Sequence, residues 1–265
     1  MFSVLMAIYG KDDPHFLRES IESTLNQKMI PAQIVIMEDG PLSPEIEATL
    51  QPYKDNPIFK FVRIEKNGGQ AMALNKGIEE CDYDFIARMD SDDINSKNRF
   101  AQQWEFLQKN PEYDVVGTGI LEFTDSPDDA TDLRVLPEHH AQILRFSRYR
   151  SPVNHATVMY RKSKVLEAGN YHDFLWNDDY HLWARMIKSG ANFYNIQDPL
   201  LYVRGGPAMY KRRGGWKYAV QDYRLQQYFL KISHVNTAQF LANLCLRVPV
   251  PVSYTHLTLP TKRIV

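Results

Sequence analysis

The first 90 residues alternate apolar runs of strand length with amphipathic stretches of helix length, and this alternation constrains the fold more than any other feature. Phe2 to Ile8 is a continuous apolar run. Asp13-Pro14 then supplies an N-cap and a first-turn proline for a helix on which Leu17, Ile21 and Leu25 recur on one face. Ile34 to Met37 reads as a second buried strand, Ser43 to about Lys54 as a short helix, and Phe59, Phe61 and Ile64 alternate as a third strand. A helix through Ala71, Leu74 and Ile78 leads to a fourth strand at Phe85 to Ala87. Such alternation implies right-handed crossovers and an α/β fold with a mainly parallel sheet flanked by helices. The carboxyl ends of parallel strands share one edge, which is where open α/β sheets bind ligands.

Two of these strands end in acid. Met37 is followed by Glu38, Asp39 and Gly40, and the run Phe85 to Met89 leads straight into Asp90, Ser91, Asp92 and Asp93. Carboxylates are almost never buried unpaired, so several crowded at a strand end require a cation. A hard divalent ion, Mg²⁺ or Mn²⁺, held by oxygen ligands and shared with substrate phosphates, is the natural partner. A solvated turn and helix cap is the other reading of an isolated Asp-Ser-Asp-Asp. An EF-hand calcium loop is disfavoured, because Ile94 offers no side-chain oxygen and no glycine follows it. Asn67-Gly68-Gly69 does not follow the first strand and carries neither GxGxxG nor GxxxxGK[ST], so neither a dinucleotide fold nor a P-loop is indicated.

Further along, Asn98 to about Lys109 reads as a helix, Val115 to Phe123 as a strand, and Asp125 to Asp132 as a solvated acidic loop. His155 stands at the start of a short strand, Asn154 to Tyr160, and is open to a structural or a functional role. In FLWNDDYHLWARMIKSG, Phe174 to Gly190, the residues Leu182, Trp183 and Met186 share a helical face with Asp179. Asn177 or Asp178 suits the N-cap and the helix dipole, whereas Asp179, aimed from the helix start into the interior or a cleft, is a candidate general base. Arg204 to Lys231 carries seven basic residues and one acid, Asp222. Its centre, Tyr210 to Gly215, suits a diphosphate or a membrane surface. Phe240, Leu241, Leu244 and Val248 form an amphipathic stripe fit for a core helix or a lipid interface.

The remaining composition narrows the class. With 31 basic against 32 acidic residues, the chain has no global nucleic-acid footprint. Cys81 and Cys245 make neither a metal spacing nor a disulfide framework, which fits a reducing compartment. The start, MFSVLMAIYGKDD, reads as a strand and not as a signal peptide, and no apolar run of about 20 residues is present for a spanning helix. From about Val252 the sequence VSYTHLTLPTKRIV continues no earlier pattern. It looks like translated sequencing-adapter read-through, so residues 252–265 are expected to be a non-native tail on a chain whose natural C-terminus is longer.

Taken in order, FSVLMAIY, IVIMEDG, NGGQAMALNKGI, ARMDSDD, NHATVMYRKS, DDYHLW and RRGG resemble the motifs of glycosyltransferase family 2, the inverting nucleotide-sugar enzymes of GT-A fold, particularly those of bacterial capsule, exopolysaccharide and O-antigen assembly. The resemblance covers roughly residues 2–230. It implies a GT-A domain with a Rossmann-like sheet over residues 1–205 and a basic, amphipathic helical extension over 206–251. It further implies that Asp39 contacts the nucleotide base, that Asn75 belongs to the donor site, and that Asp90 and Asp92 meet the metal-bound diphosphate with Arg212 or Arg213. Asp179 matches the acceptor-activating base, and His155 and Asp178 fall on the acceptor side. The family commonly has Glu-Asp where this chain has Asp178-Asp179.

The implied function is Mg²⁺- or Mn²⁺-dependent, inverting transfer of one sugar from a nucleotide donor, a UDP-sugar, to a lipid-linked glycan. The implied place is the cytoplasm or the inner face of the membrane, with peripheral contact and no nucleic-acid partner. Two rivals stand beside it. A nucleotidyltransferase that makes nucleotide sugars would carry a Gly-rich basic loop where this chain has Tyr9-Gly10-Lys11-Asp12-Asp13. A non-catalytic nucleotide- or glycan-binding relative would not need Asp179.

Overall fold

The computed structural model describes residues 1–130, 132–174, 176–205 and 216–247. Arg212, Arg213, Val248 and the tail at 252–265 lie outside the described residues. The first half follows the expected alternation: β1 (Ser3–Tyr9), α1 (Pro14–Leu25), β2 (Gln33–Asp39), α2 (Pro44–Leu50), β3 (Phe59–Ile64), α3 (Gln70–Glu80) and β4 (Phe85–Met89). Asp13 caps α1 as its sequence position requires, its carboxylate accepting the His15 N–H at 2.8 Å and the Phe16 N–H at 3.3 Å. Then come β5 (Ile94–Asn95), α4 (Arg99–Lys109), β6 (Val115–Phe123), β7 (Asp132–Arg134), α5 (His140–Phe146), β8 (Met159–Arg161), α6 (Lys162–Glu167), α7 (Asp178–Lys188) and β9 (Phe193–Arg204). Two helices follow, α8 (Trp216–Lys231) and α9 (Thr237–Arg247).

The strands form one sheet in the order β3-β2-β1-β4-β8-β6-β9-β5, with β7 paired to β6. Its first four strands are parallel: Tyr9 lies opposite Asp39, Asp39 opposite Ile64, and Met6 opposite Met89. The acidic ends of β2 and β4 therefore reach the same edge, as the alternation predicts. Beyond β4 the sheet is mixed. β6 and β9 pair in parallel, while β8 runs antiparallel to both β4 and β6, and β5 antiparallel to β9. The segment read as a strand from Asn154 is a 3₁₀ turn, His155–Thr157, followed by the three residues of β8. Part of the acidic loop is likewise a 3₁₀ turn, Pro127–Asp129, and Asp132 opens β7.

Both faces of the parallel half are covered, which is why its strands read as unbroken apolar runs. Val4, Met6 and Ile8 of β1 face Leu17, Ile21 and Phe100 of α1 and α4; Leu5 faces the other way, toward Leu74 and Ile78 of α3 and Trp183 of α7. Helix α8 packs on α7 through Tyr180, Ala184, Leu225 and Phe229. Helix α9 is fixed by polar groups: Arg247 grips the buried Asp222 with Nε at 2.8 Å and Nη2 at 2.5 Å, and Asn243 Nδ2 donates to Gln226 Oε1 at 2.8 Å. Of the expected stripe, Phe240 packs against α8 and its neighbours while Leu241 is exposed, as is Leu246 beside it. No helix among the described residues is long and apolar enough to cross a membrane.

Gly77 lets α3 lie directly on the sheet. A Cβ there would overlap Leu5 Cδ1 and stand 2.8 Å from Met37 Cγ, both on buried side chains. Alanine gains about 1 kcal/mol of helix propensity, yet overpacking costs roughly 1–3 kcal/mol. Gly77→Ala is accordingly expected to destabilise the protein by up to about 2 kcal/mol, read as a lower urea midpoint at unchanged slope.

Candidate active site

The acidic loop is held from two sides, by α1 and by the end of β9. Ser20 Oγ of α1 donates to the Asp90 carbonyl at 2.7 Å, and the Arg204 N–H at the end of β9 donates to Asp93 Oδ1 at 3.1 Å. The Arg204 side chain donates to the Asp92 carbonyl at 3.2 Å and to Glu19 at 2.7 Å, while its guanidinium lies 3.7 Å from the Phe16 ring centroid and 4.6 Å from that of Phe123. The loop leads into β5 and α4 starts only at Arg99, so the acids do not cap that helix.

So anchored, Asp90, Asp92 and Asp93 each offer a carboxylate oxygen within 4.8 Å of the others. Burial, and then the Asp90 charge, push both Asp92 and Asp93 up, the fully enclosed Asp93 well above the usual carboxylate range. An all-oxygen set of crowded, partly desolvated carboxylates fits a hard divalent cation. Asp12, from the β1–α1 loop, joins this group; burial, then the Asp92 and Asp90 charges, push it up to about 6 against bonds from Tyr9 and Ser91.

Beside this group lies Arg88, two residues before Asp90 on β4. It is 2% exposed and ion-paired with Asp90. Burial opposes its charge, and Asp90 outweighs that penalty and holds it protonated. Arg88 Nε and Nη1 have no hydrogen-bond partner among the described residues. The same charge acts on Asp178 at the start of α7, on Tyr171 and on His155. It thereby links the acidic loop to the second carboxylate pair.

Helix α7 starts at Asp178, with Asn177 at the N-cap position but without a side-chain capping bond. Leu182, Trp183 and Met186 are buried as the spacing predicts, and half-buried Asp179 accepts Ser151 Oγ at 3.4 Å. Burial, followed by the Asp179 charge, raises Asp178 to about 7. His155 Nε2 lies 2.8 Å from Tyr171 Oη, and its ring is 5.9 Å from that of Trp183. Burial and then Arg88 push it well below the imidazole range, so it is neutral at pH 7.

Two residues assigned to the donor by resemblance have framework partners. Both Asp39 oxygens are engaged, Oδ1 by the Gly68 N–H at 2.8 Å and Oδ2 by the Gly69 N–H at 2.9 Å. They hold the turn into α3, where Gly69 has φ 86°. The Asn75 amide pairs both ways with the Tyr171 backbone, at 2.8 Å each. Asp39 thus fixes one loop of the site and Asn75 another. Sequence reasoning had not assigned roles to Asp12, Arg88 or Arg204, and had placed Asp93 only among the crowded carboxylates that call for a cation. For Arg88 a signal existed: an arginine inside a buried strand, in register with Asp90, needs an acid.

The acidic triad on the carboxyl edge of the sheet and the carboxylate pair at the start of α7 are thus connected through one buried arginine. The chain belongs to glycosyl transferase family 2, whose family model matches residues 3–169. It is 34% identical over 247 residues to the UDP-Gal:alpha-D-GlcNAc-diphosphoundecaprenol beta-1,3-galactosyltransferase of Escherichia coli, covering 93% of this chain and 90% of that one. It is 37% identical over 229 residues to the amylovoran biosynthesis glycosyltransferase AmsE of Erwinia amylovora, covering 85% of each. Among solved structures, S. aureus TarS 1-349 in complex with UDP-GlcNAc has the same fold, with a TM-score of 0.67 at 17% identity over 92% of this chain and 70% of that one.

The raised Asp178 gives a signed pH effect. The folded chain keeps this proton up to about pH 7, whereas the unfolded chain loses it near 4. Its stabilising contribution is therefore complete below about pH 4 and is lost as pH rises through 7. Asp178→Asn is expected to be more stable than wild type at pH 8 by on the order of 2 kcal/mol, about 4–8 °C in Tm, with the difference shrinking toward pH 5 in thermal melts.

Proposed function

We propose that this chain transfers a single sugar, with inversion, from a UDP-sugar to a growing lipid-linked glycan of a bacterial surface polysaccharide. The observation that carries the reading is the placement of an acidic triad and a carboxylate pair around the buried charge of Arg88. A single displacement needs this division: one end of the site stabilises the departing diphosphate and the other removes the acceptor proton. The UDP donor and the lipid-linked acceptor are supported by the name of the Escherichia coli relative, and a UDP-sugar donor also by the UDP-GlcNAc complex of the TarS fold neighbour.

In this reading Asp92, with Asp90 and Asp93, would hold Mg²⁺ or Mn²⁺, and the bound ion would supply charge neutralisation to the diphosphate. Arg88 keeps Asp90 in place against the repulsion of its neighbours. Asp39 and the Gly68–Gly69 amides shape the nucleotide end, and Arg212 or Arg213 donates to the diphosphate. Asp179 is the general base: it takes the acceptor hydroxyl proton as the oxygen attacks the anomeric carbon from the face opposite the leaving group. Neutral His155 and Asp178 line the acceptor side. No enzyme nucleophile is required, and the site meets a lipid-linked acceptor at a membrane surface.

Asp179→Asn is expected to retain UDP and UDP-sugar affinity while UDP release from the donor falls by about 10²–10⁴. Calorimetry should show UDP binding that depends on Mn²⁺ in wild type and is lost in Asp92→Ala. Unchanged turnover in Asp179→Asn would sink the base assignment. Metal-independent UDP binding that survives Asp92→Ala would sink the acidic loop as the donor site.

A further inference from the structure

Helix α9 turns an apolar side to the surface. Ala238, Leu241, Ala242 and Cys245 recur at i, i+3, i+4 and i+7 and so share one face, with Leu246 at its margin. All five are exposed, Leu241 by 55% and Leu246 by 69%. The opposite side carries Asn243 and Arg247, which hold the helix to the turn after α5. Asn243 Nδ2 donates to the Arg148 carbonyl at 2.8 Å, and Arg247 Nη1 donates to the Tyr149 carbonyl at 2.6 Å. Those bonds use only the backbone of the turn. Its three successive side chains, Arg148, Tyr149 and Arg150, stand exposed, and no acid occurs from His140 to Arg150. In α8 and α9 the one acid is Asp222, buried against Arg247.

An apolar face beside exposed guanidinium groups and free of exposed acid suits a surface that is apolar within and anionic at its rim. Peripheral attachment to a bilayer takes this pair of signals, one apolar and one basic. A second copy of the chain fits less well: the 11 residues of α9 make a helix about 16 Å long and 10 Å across, whereas a stable pair of proteins buries roughly 800 Å² per partner. We propose that the outer face of α9 and the Arg148–Arg150 turn rest on an anionic bilayer, with the leucines among the acyl chains and the arginines on lipid phosphates. The residue after this turn is Ser151, whose Oγ donates to Asp179 at 3.4 Å. The docked turn therefore adjoins the base that a lipid-linked hydroxyl must reach. This docking rests on the transferase reading, which supplies the lipid-linked acceptor.

The test uses the full chain with vesicles of phosphatidylcholine, with and without phosphatidylglycerol, and calorimetry with UDP and Mn²⁺ in parallel. Wild type is expected to co-sediment with the anionic vesicles and to be released by salt. Leu241→Gln with Leu246→Gln should weaken this partition by roughly 10-fold or more, and Arg148→Gln with Arg150→Gln by about 5-fold for each charge. UDP affinity and Tm should stay unchanged in both variants, since these side chains are exposed. Cys81 is buried and Cys245 exposed, so an environment-sensitive dye attached to Cys245 should shift to the blue when vesicles are added. Equal sedimentation of wild type and the leucine variant, a dye that stays in water while the protein sediments, or no sedimentation of a wild type that binds UDP would overturn the docking surface. A wild-type dimer in ultracentrifugation that the leucine variant abolishes would overturn it in favour of a second copy. Vesicle binding that depends on the two leucines, in a wild type that binds no UDP, would support the surface and overturn the transferase reading.

Discussion

The charge of Arg88 is felt by four carboxylates, those of Asp90, Asp92, Asp93 and Asp178. Bringing so many acids to one sheet edge is unfavourable on two counts: each loses water, and each repels its neighbours. Unit charges 4 Å apart interact by about 4 kcal/mol at the effective dielectric of a protein surface, so a permanent cation beneath them offsets much of that repulsion. Arginine suits the position because it stays charged when enclosed, where a lysine readily gives up its proton. The ion pair with Asp90 therefore favours the folded acidic loop, alongside the bonds from Ser20 and Arg204.

Around that pair, the site is braced by side chains that connect distant segments. Asp39 reaches from β2 to the turn before α3, Asn75 from α3 to the loop before α7, and Arg204 from β9 to α1 and the acidic loop. Each bond crosses between elements far apart in sequence, so the carboxylates inherit the rigidity of the sheet. Residues that a family resemblance assigns to ligand contact can in this way belong to the frame that presents the contact.

Much of this was legible in the sequence. The alternation of β1 to β4 with their helices follows from apolar runs, Asp13-Pro14 and Gly69, and parallel geometry alone places Asp39 and Asp90 on one edge. The heptad-like spacing from Asp179 to Met186 correctly turned one face of α7 inward. What escaped was short or relational. β5 has two residues and β7 and β8 have three each, too few for any periodicity, and their antiparallel pairing arises from tertiary contact. The apolar spacing around Phe240 did not reveal that α9 is held by Asn243 and Arg247, polar residues that a hydrophobic pattern assigns to solvent. The left-handed turn at Trp176, with φ 67°, contradicts local propensity and is visible only in the backbone.

The grip of Arg247 on Asp222 has a further consequence. Apolar contacts between helices tolerate rotation and sliding by a few degrees or a fraction of an ångström, since one methyl group replaces another at little loss. A two-armed bond from a planar fork to a buried carboxylate has a single angular solution. Helix α9 consequently has one azimuth about its own axis, and the side that carries Leu241 and Leu246 is aimed outward by the same geometry that hides Asp222. The direction in which this apolar side points is thus tied to a polar bond and not to apolar packing alone.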